Sequence, residues 1–159
     1  TTIKEWVKTE KKGKPACCYY DNAPANGKKY GKLYNWFAVN DSRGLAPAGW
    51  HIPTDEEWKT LADFLGGGAV AGTKMKSTSN WTTEGNGTNE GGFTGLSGGA
   101  RQQDGSFKAH KTGYYGYWWS STEYNSSLAW YRFLSYNYGV LSWDFGEKKS
   151  GFSVRCIND

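Results

Sequence analysis

The C-terminal third of the chain constrains the fold most, because residues 130–136 and 153–157 each alternate polar and apolar side chains. This alternation is typical of half-buried β-strands, in which successive side chains point to opposite faces. Asn137-Tyr-Gly139, between these segments, has the composition of a turn. Residues 124–145 are rich in Tyr, Ser, Asn, Trp and Gly and poor in aliphatic residues. The sequence therefore predicts a β layer that carries an unusual aromatic segment.

Strand alternation also predicts how the side chains of this segment divide between two faces. In the first strand, one face carries Trp130, Arg132, Leu134 and Tyr136, and the other carries Tyr131, Phe133 and Ser135. In the next strand, one face carries Leu141, Trp143 and Phe145, and the other carries Val140, Ser142 and Asp144. We expect that only one face can belong to the core. One set of rings would then lie near solvent, where a contiguous apolar surface marks an interaction site. The alternative is that these rings form the core of an all-β layer.

The composition of residues 124–145 favours ligand binding. Antibody paratopes use the same mixture, in which rigid amphipathic rings give contact area and small polar residues give adaptable hydrogen bonds. The predicted ligand-binding residues are Tyr124, Asn125, Tyr131, Phe133, Ser135, Asn137, Tyr138, Leu141, Trp143, Asp144 and Phe145. Such a surface suits either a protein or a glycan, because aromatic rings stack on sugar faces and also fill protein pockets.

The overall composition limits the classes of function. The 159 residues include 22 Gly and 9 Trp, and the formal net charge of +4 is spread along the chain. We expect one domain over residues 1–159, with an aromatic core and many loops. Spread charge does not favour nucleic-acid binding. No apolar run approaches the roughly 20 residues of a membrane span, so we expect no direct membrane insertion.

The clearest local pattern predicts a helix that begins at a capping box formed by Thr54 and Glu57 and ends at the glycines of residues 66–68. Its apolar stripe consists of Trp58, Leu61, Ala62 and Leu65. The carboxylates of its first turn interact favourably with the positive end of the helix dipole, and this interaction gives them a structural role. We therefore do not predict a catalytic role for them.

Shorter patterns assign the remaining segments. Residues 3–7 and 16–20 are predicted as strands, residues 32–39 as a short first helix, residues 71–90 as a loop, and residues 92–108 as a hairpin around an Asp-Gly turn. We expect the N- and C-terminal strands to pair. The predicted fold class is α+β, with two short helices, a twisted antiparallel sheet and long loops.

Three cysteines, Cys17, Cys18 and Cys156, lie near opposite ends of the chain. Adjacent cysteines rarely bridge each other, because the small ring that they close is strained. Any disulfide is therefore expected to join Cys17 or Cys18 to Cys156 and to connect the two termini.

Catalytic and metal-binding patterns are sparse. His51 and His110 have no visible nucleophile partner in the sequence, and no Gly-x-Ser-x-Gly elbow is present. We predict no enzyme activity and no cofactor. A structural calcium ion held near Asp104, or by Glu84 and Glu90, is an alternative.

Six motifs in order along the chain carry a family resemblance. They are Tyr-Gly-Lys-Leu-Tyr-Asn-Trp at residues 30–36, Leu-Ala-Pro-Ala-Gly-Trp-His-Ile-Pro-Thr at 45–54, Glu-Trp at 57–58, Gly-Gly-Ala-Arg at 98–101, Tyr-Trp-Trp-Ser-Ser-Thr at 117–122 and Gly-Phe-Ser-Val-Arg-Cys at 151–156. The chain resembles the Fibrobacter succinogenes major paralogous domain. That resemblance implies a C-type-lectin-like fold related to the formylglycine-generating enzyme superfamily. It also implies an extracellular or cell-surface location, as the C-terminal domain of a longer secreted protein of Bacteroidetes or their relatives.

The resemblance also bears on the cysteines. Members of the family often carry additional cysteines where this chain has Gly27 and Ala46. This departure implies that the bridge joins Cys18 to Cys156 and that Cys17 is spare.

Some members of the family are variable proteins of diversity-generating retroelements, in which the adenines of a template are randomised. The positions that correspond to variable ones are Phe133, Ser135, Tyr138, Gly139, Leu141, Trp143, Asp144 and Phe145. All of these residue types except Trp can be reached from an Asn codon by changing adenines alone. The resemblance therefore implies an adhesin or receptor-binding tip that displays a diversified surface over residues 124–145 to a surface protein or glycan.

Two other functions are expected to be less favoured. One is a structural or assembly subunit of a surface appendage. The other is an oxidase of the formylglycine-generating kind, which would need a paired-thiol copper site. Only Cys156 lies in the C-terminal half of the chain, so the oxidase is the weaker of the two.

Overall fold

The computed structural model describes residues 2–10, 13–108 and 110–159, which form a mixed α+β fold, as the sequence predicts. The helices are α1 (Ile3–Glu10), α2 (Pro24–Tyr30), α3 (Trp36–Val39), α4 (Asp55–Phe64) and α5 (Gly68–Met75), with a 3₁₀ turn at Tyr20–Asn22. The strands are β1 (Cys17–Cys18), β2 (Leu33–Tyr34), β3 (Trp50–His51), β4 (Tyr115–Glu123), β5 (Leu128–Ser135), β6 (Ser142–Glu147) and β7 (Ile157–Asn158). The described residues thus contain five α-helices, where the sequence predicts two.

The main sheet is antiparallel and has the strand order β4-β5-β6. Trp119 lies opposite Tyr131, and Trp130 lies opposite Phe145. The register of β4 against β5 shifts between Trp119 and Glu123, as at a β-bulge. Two further antiparallel pairs, β1 with β2 and β3 with β7, complete the sheets of the described residues.

Both faces of the main sheet are packed, so the expectation that only one face belongs to the core is wrong for most of the sheet. On one face, Trp118 and Leu134 join a cluster with Trp58 of α4. On the other face, Tyr117 and Trp119 join a cluster with Phe152. The reason is that α4 and α5 cover the first face, whereas α3 and the segment around Phe152 cover the second.

Helix α4 forms as predicted. The Glu57 backbone N–H donates to Thr54 Oγ1 at 3.3 Å, and the Thr54 N–H donates to Glu57 Oε2 at 2.8 Å. Trp58 and Leu65 are buried in the first core cluster, and the rest of the stripe packs against it. Gly66 has a positive φ and follows the helix, where a residue with a side chain would be strained.

The prediction of a strand at residues 3–7 is wrong, because these residues begin α1. The reciprocal hydrogen bonds of a capping box form here as well: the Glu5 N–H donates to Thr2 Oγ1 at 3.2 Å and the Thr2 N–H to Glu5 Oε2 at 2.8 Å. Trp6 is buried beneath this helix, and the Arg101 guanidinium lies 4.5 Å from its ring. The Thr-x-x-Glu spacing that marks α4 was therefore the informative signal here too.

Three other segments differ from the prediction. Part of the expected loop at residues 71–90 is helical, because α5 extends to Met75. The first helix expected over residues 32–39 begins only at Trp36, where the Asn35 side chain accepts from the Ala38 N–H. The expected hairpin at residues 92–108 makes isolated bridges to distant segments, and only its turn is closed, by a bond from the Gln102 N–H to the Ser106 carbonyl.

The C-terminal strand is shorter than predicted and has a different partner. Only Ile157–Asn158 is a regular strand, and it pairs with β3 rather than with the N-terminus. Upstream of it, Phe152 bridges to Tyr34 and Ser153 to Trp118, which ties this segment to two sheets at once.

The predicted disulfide between Cys18 and Cys156 is not formed, since both residues have free thiols. β1 turns the Cys18 side chain into a buried cluster with Trp6 and Leu33, and this burial raises the pKa of the thiol. Cys156 instead lines a pocket next to Trp50, beside β7. The two thiols therefore belong to different parts of the fold.

No helix in the described ranges is long and apolar enough to cross a membrane.

Candidate ligand-binding surface

An exposed group of rings lies at one end of the main sheet. It consists of the exposed rings of Tyr124, Trp143 and Phe145 and the half-buried ring of Trp130 that they contact, and we call it the aromatic surface. Tyr124 and Phe145 are stacked with ring centroids 4.2 Å apart and an interplanar angle of 3°. Trp130 meets Trp143 edge to face at 5.5 Å. Trp143 is 64% exposed, Tyr124 47% and Phe145 40%.

Strand alternation and a fixed loop produce this arrangement. Trp130 lies opposite Phe145 in the register, and Arg132 lies opposite Trp143, so these side chains share one face of the sheet. The loop that carries Tyr124 is held by Asn125, whose side-chain oxygen accepts from the backbone N–H groups of residues 127 and 128. The aromatic surface is thus built on regular backbone and a hydrogen-bonded turn.

A pocket of about 630 Å³ opens beside the aromatic surface, between the sheet and α4. Its charged and aromatic lining residues are Asp55, Lys59 and Asp63 of α4 and Trp130, Arg132 and Trp143 of the sheet. This volume lies within the range of roughly 300–1,000 Å³ that is typical of small-molecule sites. The aromatic surface therefore continues into a concave, partly charged site.

An ion pair fixes the floor of the pocket. Arg132 Nη1 lies 2.6 Å from Asp55 Oδ1, and Nη2 donates to the Asp55 backbone carbonyl at 3.3 Å. The Arg132 side chain is 6% exposed and that of Asp55 30%. The Asp55 N–H in turn donates to Thr122 Oγ1 at 2.9 Å, which joins the start of α4 to β4.

The turn between β5 and β6 closes the pocket on the side of α5. The Thr73 N–H donates to the Gly139 carbonyl, and the Leu141 N–H donates to the Gly68 carbonyl at 2.8 Å. A Cβ atom at Gly72 would lie 2.4 Å from the Val140 carbonyl oxygen, so only glycine permits this approach.

The structure places the eleven predicted ligand-binding residues in three environments. Those that are exposed are Tyr124, Asn125, Asn137, Tyr138, Trp143, Asp144 and Phe145. Tyr131 and Phe133 are half-buried on the opposite face of the sheet, against the cluster that contains Phe152. Burial raises the pKa of the Tyr131 hydroxyl to about 12.

The last two predicted residues are buried. Ser135 donates its hydroxyl hydrogen bond to Asn137 Oδ1 at 2.5 Å, and Leu141 belongs to the core cluster while lining the pocket. These positions support the backbone that carries the aromatic surface.

Sequence reasoning missed the contribution of α4. Asp55, Lys59 and Asp63 are spaced four residues apart, so they lie on one face of the helix and reach the pocket together. That spacing was visible in the sequence, but nothing in it indicated that this face of α4 meets Trp130 and Arg132.

Both histidines have structural partners. His51 Nε2 lies 2.7 Å from Glu57 Oε1 and Nδ1 lies 2.6 Å from Asp159 Oδ1, and these two carboxylates raise the pKa of the imidazole. His110 is half-buried with Nδ1 2.8 Å from the Tyr117 hydroxyl, and burial lowers its pKa.

Within residues 2–10, 13–108 and 110–159, no group of three or more His, Cys, Asp or Glu side chains is arranged to hold a metal ion. The Asp104 carboxylate accepts from the Ser106 N–H at 2.8 Å, as in an Asx turn.

Comparison with known proteins decides the family. The model of the Fibrobacter succinogenes major domain matches residues 1–158. The chain belongs to the Fibrobacter succinogenes major domain family. The match spans the sheet, the aromatic surface and α4, so the site is part of this family's domain. Comparisons with curated proteins and with solved structures found no match.

Proposed function

We propose that this Fibrobacter succinogenes major domain is an extracellular ligand-binding module, of the kind found in an adhesin or a receptor-binding tip. The observation that carries the proposal is the aromatic surface, in which three of the four rings are exposed beside a pocket while the sheet that bears them is packed on both faces. Large exposed rings next to a pocket are typical of the residues that dominate binding energy. The C-type-lectin-like architecture and the surface location belong to the same proposal and rest on the family.

We expect the proposed diversification of residues 124–145 by a retroelement to act on the side chains that are exposed. Tyr138, Trp143, Asp144 and Phe145 are exposed, so replacing their side chains leaves the core in place. Leu141 is buried in the core, where changes of volume destabilise. Variation among close relatives is therefore expected to concentrate at the exposed positions, and relatives with no excess of variation there would oppose the proposal.

The test is a binding screen of two proteins against a glycan array and a defined set of purified bacterial and host surface proteins. One is the native domain, and the other carries Tyr124→Ser, Trp143→Ser and Phe145→Ser. Leu141 and Phe133 stay unchanged because their burial would confuse loss of binding with unfolding. Phe64→Ser, at an exposed ring of α4 outside the aromatic surface, is the matched control.

We expect a ligand that is captured by the native domain and by the Phe64→Ser control but not by the triple variant, with all three showing the same circular dichroism spectrum. Equal capture by the triple variant would show that the aromatic surface is not the binding site.

A second candidate function, as an assembly subunit, is favoured by the open edge of β6. Within the described residues β6 has a strand partner on one side only, and residues 143–145 are exposed. An unpaired edge can accept a strand from another chain. Concentration-dependent association by sedimentation, with slowed amide exchange confined to β6, would support assembly, and a monomer at all concentrations would oppose it.

A further inference from the structure

We propose that the pocket beside the aromatic surface binds one ring of a neutral hexopyranose at the accessible end of a glycan. This inference rests on the ligand-binding function proposed above and narrows its ligand to one chemical class. It follows from the aromatic wall, the charge balance and the fixed floor of the pocket.

One wall of the pocket is formed by the two indole rings of Trp130 and Trp143. Trp143 is the most exposed ring of the aromatic surface, and Trp130 supports it edge to face. A pyranose has an apolar face formed by its axial C–H groups, and such a face packs against the electron-rich face of an indole. The stacked pair Tyr124 and Phe145 contacts the Trp130 ring edge to face and offers contact area for the next sugar of a chain.

The charged groups in the pocket cancel. Asp55 and Asp63 contribute two negative charges, and Lys59 and Arg132 contribute two positive ones. Arg132 and Asp55 are already paired, and the two remaining groups, Lys59 and Asp63, are exposed and opposite in charge, so a ligand with a net charge would be attracted by one and repelled by the other. A sugar hydroxyl both donates and accepts hydrogen bonds, so neighbouring hydroxyls can satisfy a carboxylate and an ammonium side by side. The lining therefore favours a neutral polyol.

Two of these groups are available to a ligand. The side chains of Lys59 and Asp63 have no hydrogen-bond or ion-pair partner among the described residues, and one helical turn separates them at the pocket. Arg132 and Asp55 hold each other, so the floor beneath them is already formed before a ligand enters. A preformed site avoids the free-energy cost of ordering side chains on binding.

The same lining argues against a protein side chain as the occupant. The centre of a protein–protein interface is depleted of charged residues. This pocket has four charged side chains next to its two indoles, an arrangement that suits a ligand rich in hydroxyl groups.

The test uses four neutral disaccharides, maltose, cellobiose, lactose and mannobiose, with digalacturonate as the acidic counterpart. Binding to the native domain is measured by saturation-transfer NMR and by calorimetry. The variants are Trp143→Ala, Trp143→Phe, Lys59→Met and Asp63→Asn, and Phe64→Ala is the control on the same helix.

We expect at least one neutral disaccharide to bind, and digalacturonate to bind at least tenfold more weakly. Trp143→Ala should weaken binding of the neutral sugar at least tenfold, whereas Trp143→Phe should recover part of it, because a smaller ring still stacks. Lys59→Met and Asp63→Asn should each weaken it several-fold, and Phe64→Ala should leave it unchanged.

Three outcomes would overturn the inference: no neutral disaccharide binds, digalacturonate binds as well as the neutral sugars, or Trp143→Ala and Asp63→Asn have no effect. If the screen of surface proteins still finds a ligand that the triple serine variant loses, the sugar inference alone fails. If neither experiment finds a ligand at the aromatic surface, the proposed function fails with it.

Discussion

At the scale of single residues, the ion pair between Arg132 and Asp55 connects the sheet to α4 and shapes the pocket. Arg132 is almost fully buried, whereas Asp55 keeps 30% of its side-chain exposure. Removing one member of a buried pair leaves the other charge uncompensated, which is more harmful than replacing both. The pair is therefore expected to matter for stability as well as for the site.

Asp55→Ala should lower the free energy of unfolding by about 1–3 kcal/mol, less than for a fully buried pair because water still screens the carboxylate. Urea denaturation measures the change. Glu56→Ala is the control, because Glu56 also lies in the first turn of α4 but is exposed. Equal small losses of stability for the two variants would show that the ion pair does not stabilise the fold.

Leu141 and Trp143 are two residues apart but have opposite surroundings. Leu141 is 4% exposed and belongs to the core, while Trp143 belongs to the aromatic surface. Leu141→Ala should lower the free energy of unfolding by about 2–4 kcal/mol, whereas Trp143→Ala should change it by less than about 1 kcal/mol and weaken ligand binding at least tenfold. Denaturation and binding measured on the same two variants check this, and a larger stability loss for Trp143→Ala would place its ring in the core.

At the scale of elements, His51 joins three parts of the fold. It lies in β3, contacts Glu57 in the first turn of α4, and contacts Asp159 at the end of the described chain. The hydrogen bonds to the two carboxylates raise the pKa of His51. The pKa of Glu57 is lowered, chiefly by the hydrogen bond from the Thr54 backbone N–H and then by the one to His51, although desolvation acts in the opposite direction. Protonated His51 is thus the form that the folded state favours.

This arrangement predicts a pH dependence of stability. Because the pKa of His51 is higher in the folded state, its contribution is fully present below its unfolded value of about 6.5 and is lost as pH rises through the folded value. The difference in urea stability between the native domain and His51→Gln should therefore be larger at pH 5.5 than at pH 9. Equal differences at the two pH values would show that the contacts of His51 do not depend on its charge.

The elements also show why sequence patterns succeed in some places and fail in others. The capping box and apolar stripe of α4 are local signals, and they predicted the helix correctly. The five residues that begin α1 are few for separating a strand from a helix, but Ile3, Trp6 and Val7 lie at the i, i+3 and i+4 spacing of a helix. The Thr2 and Glu5 pair would have decided between them.

At the scale of the whole molecule, the site depends on packing that no single segment specifies. Alternation predicted that Trp143 and Phe145 share a face, and the structure places both on it with Trp130. It could not reveal that helices cover one face of the sheet and Phe152 the other, nor that Lys59 and Asp63 reach the end of the sheet. Those facts depend on contacts between distant parts of the chain.

The central claim is that the ligand binds at the aromatic surface, and the indole N–H signals of the nine tryptophans test it most directly. Titrating the ligand with the highest affinity in the binding screen into ¹⁵N-labelled protein should shift the signals of Trp130 and Trp143. The signals of Trp58 and Trp119, which are buried in the two core clusters, should stay in place. Shifts confined to Trp36 or Trp50, with Trp130 and Trp143 unchanged, would contradict the account.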